Sequence, residues 1–158
     1  MAEKLTQNAP FFVDREVIVL NSNGTWLSDE IEITHEGSRR MFAQSLKHDE
    51  KGYFIQIQHE TKYILVEDTA YFVSRVDQDS SGEFQISLSD EVIEKLDPST
   101  LHYRPGRLVC SIQREGKKEE AKFLRGAYFD FFQENLKEDE TGYFILIAGR
   151  RIELAKKN

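Results

Sequence analysis

Two hydrophobic periods alternate along the chain. Ser38, Met41, Phe42, Ser45 and Leu46 fall at i, i+3, i+4, i+7 and i+8, and Tyr128, Phe131, Phe132, Asn135 and Leu136 repeat that spacing. Such spacing places each set on one face of a helix that packs on something. Two strand-like runs precede each helix. The first pair is Val17–Leu20, apolar and β-branched, and Thr25–Leu27 with Ile31 and Ile33, separated by Asn-Ser-Asn23-Gly24. Asn-Gly signals a hairpin because both residues tolerate positive φ. The second pair is Leu108–Ile112 and Ala121–Leu124 around Glu115-Gly116. Glu-Gly is a weaker turn signal. Residues 118–124 are placed on a strand because the earlier hairpin has one there; alone, Lys-Lys-Glu-Glu-Ala-Lys also suits the start of a helix.

After each helix comes Asp-Glu-x-Gly, at Asp49–Gly52 and Asp139–Gly142, whose glycine supplies the strained backbone of a helix end. A buried Tyr-Phe-Ile-x-Ile strand follows, and then a return strand, Lys62–Val66 or Arg150–Leu154. The segments LKHDEKGYFIQI (Leu46–Ile57) and LKEDETGYFILI (Leu136–Ile147) are identical at nine of twelve positions, at an offset of 90. That is the mark of an internal repeat. The expected fold is α+β: two ββαββ repeats with mainly antiparallel sheets, joined by a β-hairpin and a short helix. The repeats span residues 1–66 and 107–158, with residues 67–106 connecting them, all packed as one compact unit. In the connector, Tyr71–Val76 and Phe84–Leu88 form the hairpin across Asp79-Ser80-Ser81-Gly82. Ser89–Leu96 forms the short helix, capped by Ser89 and ended before Pro98.

Composition narrows the class. The chain has 158 residues, 39% hydrophobic and 31% charged, so it is too apolar for a disordered protein. A chain of this length buries about 70% of the surface its unfolded form exposes. Met1–Pro10 holds no apolar run of signal-peptide length, and no stretch approaches a membrane helix. Cys110 is the single cysteine and sits in Leu-Val-Cys-Ser-Ile, where it reads as a small buried hydrophobe. The expectation is a cytoplasmic protein without a membrane partner. Net charge is −7, divided as −10 over residues 1–100 and +3 over residues 101–158. An acidic chain is a poor nucleic-acid binder. The asymmetry fits two halves that attract one another, or a partner surface of defined sign.

Several residues invite chemistry. His35, His48, His59 and His102 form no His-x-x-x-His or Cys-x-x-Cys pair, so a metal site is not expected. The acidic loops at Asp49 and Asp139 tempt a calcium reading, but Tyr, Phe and Ile follow the glycine where carboxylate ligands would be needed. Glu67-Asp68, at the end of Ile64-Leu65-Val66, reads as a cap for the next turn or a cation holder. Arg104, Arg107, Arg114, Lys117, Lys118, Lys122 and Arg125 cluster near Tyr103 and Tyr128, yet Glu115, Glu119 and Glu120 interleave with them, as in a solvated hairpin. No nucleophile motif or phosphate loop is present.

As a set, Asn23-Gly24-x-Trp26, Ile31-x-Ile33, Phe42, Leu46, Asp49-x-x-Gly52-Tyr53 and Ile64-x-Val66-Glu67-Asp68 resemble the bacterial family named domain of unknown function 1285. Val109–Leu136 is similar to that family's second half. The chain departs from the family pattern at Gln58-His59-Glu60-Thr61, where Thr-Pro-Val-Glu is usual, and at Ala70-Tyr71-Phe72, where Pro-Phe usually follows Glu-Asp. The resemblance implies a fold of repeated α/β motifs and a part in signalling or regulation. It brings no catalytic residues and no cofactor.

The expected function is a non-enzymatic binding or regulatory module whose partner is an unknown small molecule or protein. The residues to test are His59, Lys62, Glu67, Asp68 and Arg104, which flank the return strand and the junction between repeats. The rivals are a small hydrolase-like enzyme using a carboxylate/His pair in the inter-repeat groove, and a structural homo-oligomer such as a homo-dimer.

Overall fold

Asn21 starts the fold of the N-terminal part. Its Oδ1 accepts hydrogen bonds from the amides of Asn23 (3.0 Å) and Thr25 (2.9 Å). Gly24 takes φ 81°, so the chain reverses there. Strand β1 (Ile18–Leu20) therefore pairs antiparallel with β2 (Trp26–Ser28), and β3 (Ile31–Glu32) adds to β2. Helix α1 (Glu36–Gln44) follows. His35 caps it, its Nδ1 accepting from the Ser38 amide at 3.1 Å. Next come β4 (Leu46–Asp49), β5 (Gly52–Ile57) and β6 (Glu60–Tyr63) as a three-stranded antiparallel sheet, and β7 (Leu65–Val66), which returns parallel to β1. Phe42 sits over this core, edge-on to Trp26 at 5.4 Å, with Ile18, Leu20 and Ile55 buried around it.

This is a computed structural model in which residues 11–147 and 149–156 are described. The chain divides into two compact units, Met1–Asp68 and Thr69–Asn158. The first ten residues, read above as lacking a targeting segment, lie outside the described residues.

The second unit begins with β8 (Tyr71–Gln78), β9 (Phe84–Leu88) and β10 (Ile93–Lys95). A single 3-10 turn, Pro98–Thr100, leads to β11 (His102–Arg104), β12 (Arg107–Arg114) and β13 (Lys117–Phe123). These make a six-stranded sheet in the order β10-β9-β8-β13-β12-β11, antiparallel except where β13 lies parallel to β8. Helix α2 (Arg125–Asn135) follows, and then a three-stranded sheet of β14 (Leu136–Glu138), β15 (Gly142–Ile147) and β16 (Arg150–Lys156). In the six-stranded sheet, β10 and β12 are four positions apart. At ~4.8 Å per strand a flat sheet would separate them by ~19 Å, more than an Arg and a Glu can bridge. Arg114 Nη1 nevertheless meets Glu94 at 3.1 Å, so the sheet curls toward closure. Val73, Ile86, Leu108, Cys110, Ile112 and Ala121 are buried in it. Phe131 of α2 packs edge-on against Phe84 (5.5 Å) and Phe123 (5.6 Å).

The fold is α+β and mainly strand, but the ββαββ plan is not reproduced. The first unit has three strands before its helix, with β3 paired on β2, and four after it, and the second helix is followed by three strands. In both units Leu-Lys-x-Asp leaves the helix and pairs back on Tyr-Phe-Ile. In α1 the Ser45 amide closes the helix on the carbonyls of Met41 and Phe42. Leu46 is then 8% exposed at the head of β4, whereas Leu136 in β14 is 49% exposed. Leu46 and Leu136 fit a helical face in sequence, but the Asp-Glu-x-Gly turn pairs each segment back on the strand that follows it. The return strand of the first unit is likewise divided, β6 pairing with β5 and β7 with β1. The connector helix at Ser89–Leu96 does not form. Glu91 takes φ 71° in a turn, and Ile93–Lys95 pairs antiparallel with β9. The Ser89 hydroxyl accepts from the Phe72 amide at 3.0 Å instead of capping a helix. The connector hairpin forms as expected, with Val76 opposite Ile86.

Candidate functional site

A cleft opens in the second unit where α2 passes the C-terminal half of β8. A register shift between Val73 and Arg75 loosens the pairing of β8 with β9 there. The cleft holds about 530 Å³, within the usual range for small-molecule sites. Phe84 and Phe131, both buried, line its base. Arg75, Asp77, Asp130 and Glu134 contribute the charged lining. Asp130 and Glu134 are one helical turn apart on the polar side of α2, and Arg75 Nε pairs with Asp77 at 2.9 Å. Three carboxylates against one guanidinium give the cleft a negative sign.

The hairpin end of β12 and β13 carries a different kind of cluster. Arg114 Nε meets Asp90 at 2.8 Å and Nη1 meets Glu94 at 3.1 Å, with the Arg114 side chain 18% and the Asp90 side chain 10% exposed. The guanidinium lies 5.3 Å from the centre of the Tyr71 ring. Burial lowers the guanidinium's proton affinity, but the hydrogen bond and charge of Asp90 and the charge of Glu94 more than offset it, so Arg114 stays charged. Burial, reinforced by the charges of Glu119 and Asp90, pushes the Tyr71 hydroxyl up to about 12. Burial and then the charge of Glu94 push the Cys110 thiol up to about 12 as well. An un-ionised thiol in this setting is inert. The cluster ties β10 to β12 and keeps the sheet curled; its polar groups satisfy one another.

The residues singled out from sequence are spread over both units. His59 is exposed beside Gln58 (φ 57°) in the β5–β6 turn. Lys62 lies on β6 with its Nζ 3.5 Å from the Val13 carbonyl. Glu67 holds the first hairpin: its amide donates to the Leu20 carbonyl (3.0 Å) and its carboxylate accepts from the Ser22 amide (3.0 Å). The turn it closes is the first hairpin, not the one that follows Asp68. Asp68 is exposed beside it, and Arg104 is exposed on β11 of the second unit. None of the five lines the β8–α2 cleft.

The acidic loops are closed on themselves. Asp139 Oδ1 accepts from the Thr141 hydroxyl (2.7 Å), the Thr141 amide (2.9 Å) and the Gly142 amide (3.1 Å). The Thr141 hydroxyl, then Arg151, hold the Asp139 carboxyl below the usual carboxylate range. Asp49 is lowered chiefly by the Tyr63 hydroxyl, which donates to it at 2.5 Å. His48 stacks on Tyr53 with ring centres 3.9 Å apart. Among the described residues no three His, Cys, Asp or Glu side chains are grouped to hold a metal, and no helix is long and apolar enough to cross a membrane. The cleft carboxylates were passed over in the sequence; of the three, only Asp130 and Glu134 carry a local signal, as the polar side of α2. The Arg114 cluster joins residues 20 and 24 apart in sequence through a curled sheet, and no local signal announces it.

No protein-family model matches the sequence, and no curated protein matches it. Two solved structures share its fold. One is a DUF1285 family protein from Shewanella baltica OS155, with a TM-score of 0.59 at 17% identity, over 77% of this chain and 94% of that one. The other is a DUF1285 family protein from Silicibacter pomeroyi DSS-3, with a TM-score of 0.61 at 14% identity, over 88% of this chain and 78% of that one. At these identities the likeness is one of fold, and it accords with the family resemblance carried by the sequence.

Proposed function

We propose that the chain is a non-enzymatic binding or regulatory module of the bacterial cytoplasm that takes a small ligand into the β8–α2 cleft. The observation that carries this reading is the cleft itself, about 530 Å³ with an aromatic base and a charged lining. Phe84 and Phe131 supply apolar contact, while Asp77, Asp130 and Glu134 orient a polar group. The excess of carboxylates favours a ligand bearing an amine or guanidinium. Such a ligand would bridge a β-strand and the helix packed on it, so occupancy would stiffen the α2–β8 contact.

The test is a thermal-shift titration of the full chain with agmatine and with spermidine, repeated on the D130N/E134Q double variant. A ligand that binds only the folded state raises Tm as its concentration passes Kd. The expected result is a saturable rise at millimolar concentration or below that the double variant loses. No rise with either probe, or an equal rise in the variant, contradicts the placement.

A further inference from the structure

The end of the β8–β9 hairpin borders two cavities. Gln78 and Phe84 line the charged cleft at α2. Gly82, Glu83 and Phe84 line a second cavity of about 230 Å³, which Lys95, Leu96, Pro98 and Ile147 complete. Phe84 is thus common to both linings. Leu96 and Ile147 are buried, so the inner wall of the second cavity is hydrocarbon. It is smaller than the roughly 300–1,000 Å³ usual for a small-molecule site, and suits part of a ligand rather than a whole one.

The two cavities differ in their charges. In the cleft Arg75 pairs with Asp77, and Asp130 and Glu134 have no hydrogen-bond or ion-pair partner among the described residues. A cation is drawn there. At the second cavity Lys95 Nζ meets Glu83 at 2.6 Å, so that rim is neutral, and the apolar wall behind it favours hydrocarbon. The Phe84 ring meets Phe131 edge-on at 5.5 Å where the two linings join. A ligand charged at one end and apolar at the other matches both cavities in one orientation only.

We infer that the ligand is an amphipathic amine. Its ammonium group sits against Asp130 and Glu134. Its alkyl chain passes Phe84, which turns to another rotamer, and enters the cavity of Leu96, Pro98 and Ile147. This ligand class presupposes the amine site proposed above and adds the tail to it. The test is calorimetry on the full chain with butylamine, hexylamine and octylamine, and with 1-octanol as the uncharged control, repeated on D130N/E134Q. NMR of the octylamine complex locates the terminal methyl. Each methylene fully buried tightens binding roughly fourfold. Affinity should rise at least tenfold from butylamine to octylamine, and 1-octanol should bind at least tenfold more weakly than octylamine. D130N/E134Q should weaken all three amines, and the octylamine methyl should show nuclear Overhauser contacts with Leu96 and Ile147. Equal affinity for butylamine and octylamine, or no contact with Leu96 and Ile147, overturns the tail site; if D130N/E134Q still weakens the amines, the amine site stands. Octanol binding as tight as octylamine overturns the amphipathic assignment. Amine binding that is absent, or that D130N/E134Q leaves unchanged, overturns the amine site and the tail with it.

Discussion

Residues 46–63 and 136–153 run through the same strand pairings and finish with different surfaces. Leu46 faces Ile55 and Ile55 faces Lys62; at an offset of 90, Leu136 faces Ile145 and Ile145 faces Ile152. Each sheet follows a helix that presents a buried phenylalanine, Phe42 or Phe132. The third strands then diverge. In the first unit Tyr63 donates its hydroxyl to Asp49 and packs tilted on Phe54 at 5.2 Å. In the second Arg151 bonds Asp139 at 2.7 Å, pairs with Glu153, and covers the Phe144 ring at 3.6 Å. The parallel strand beside each hairpin differs too: β7 lies on the first hairpin strand of its unit, and β8 on the second strand of its own. Register is thus set by the Asp-Glu-x-Gly turn that the two segments share, whereas lateral chemistry is set by the third strand, which they do not share.

Removing the two phenylalanines is the strongest way to break the parallel. Phe42→Ala and Phe132→Ala should each cost roughly 3–5 kcal/mol, because both rings are buried and edge-on to an aromatic partner, Trp26 or Tyr103. Urea melts would read the first through Trp26 fluorescence, since Trp26 is the single tryptophan and lies in the first unit. The second would be read by circular dichroism. A cost below about 1 kcal/mol for either removes that ring from the core.

The shared glycines should separate the two sheets. A Cβ on Gly142 would stand 2.0 Å from the Ala155 carbonyl oxygen and 2.9 Å from Lys156 Cα, whereas one on Gly52 meets nothing within 4 Å. Both have positive φ, 154° and 130°. Gly52→Ala should therefore cost only its backbone strain, about 1 kcal/mol, and Gly142→Ala about 3 kcal/mol or more. Equal costs by denaturant titration would show that the close approach of β16 to β15 is absent.

A charge cluster with no counterpart in the first sheet predicts a smaller loss. Arg114→Ala leaves Asp90 and Glu94 facing each other at the mouth of the curled sheet and should cost roughly 2 kcal/mol, reduced from the fully buried case by partial exposure. The transition followed at Trp26 serves as the internal control. Loss confined to that transition would contradict the assignment.

The fourth effect is alkaline and is seen only above about pH 9. Cys110 and Tyr71 of the second unit are both raised to about 12, from ordinary values of 9.0 and 10.0. A raised folded value means that the native state holds the proton more tightly. The stability it contributes is complete below the ordinary value and falls away as pH rises from about 9 toward 12. Stability measured by circular dichroism should decline over that window, and Cys110→Ala should flatten the decline. An unchanged slope in the variant would show that the thiol ionises as freely folded as unfolded.

Much of this frame was legible in the sequence. The hairpin at Glu115-Gly116 forms with φ of 51° and 76°, as two turn residues require, and the helices stand where the 3.6 period put them. Legibility failed where the helical period ran past the helix end. Leu46 and Leu136 satisfy helical spacing, and only the pairing across Asp49–Gly52 and Asp139–Gly142 makes them strand residues. It failed again at Ser89–Leu96, where a serine and a proline bracket a segment that sheet pairing makes a strand. The cleft and the Arg114 cluster depend on curvature of a sheet whose neighbours are distant in sequence, and local pattern does not encode curvature.

Nuclear Overhauser contacts across the two Asp-Glu-x-Gly turns test the account most directly. Strong cross-strand contacts should link His48 with Tyr53 and Glu138 with Tyr143, in one register at both places. Helical i to i+3 contacts running from Phe42 through Asp49, or from Phe132 through Asp139, would contradict it, as would a register in one turn that the other does not repeat.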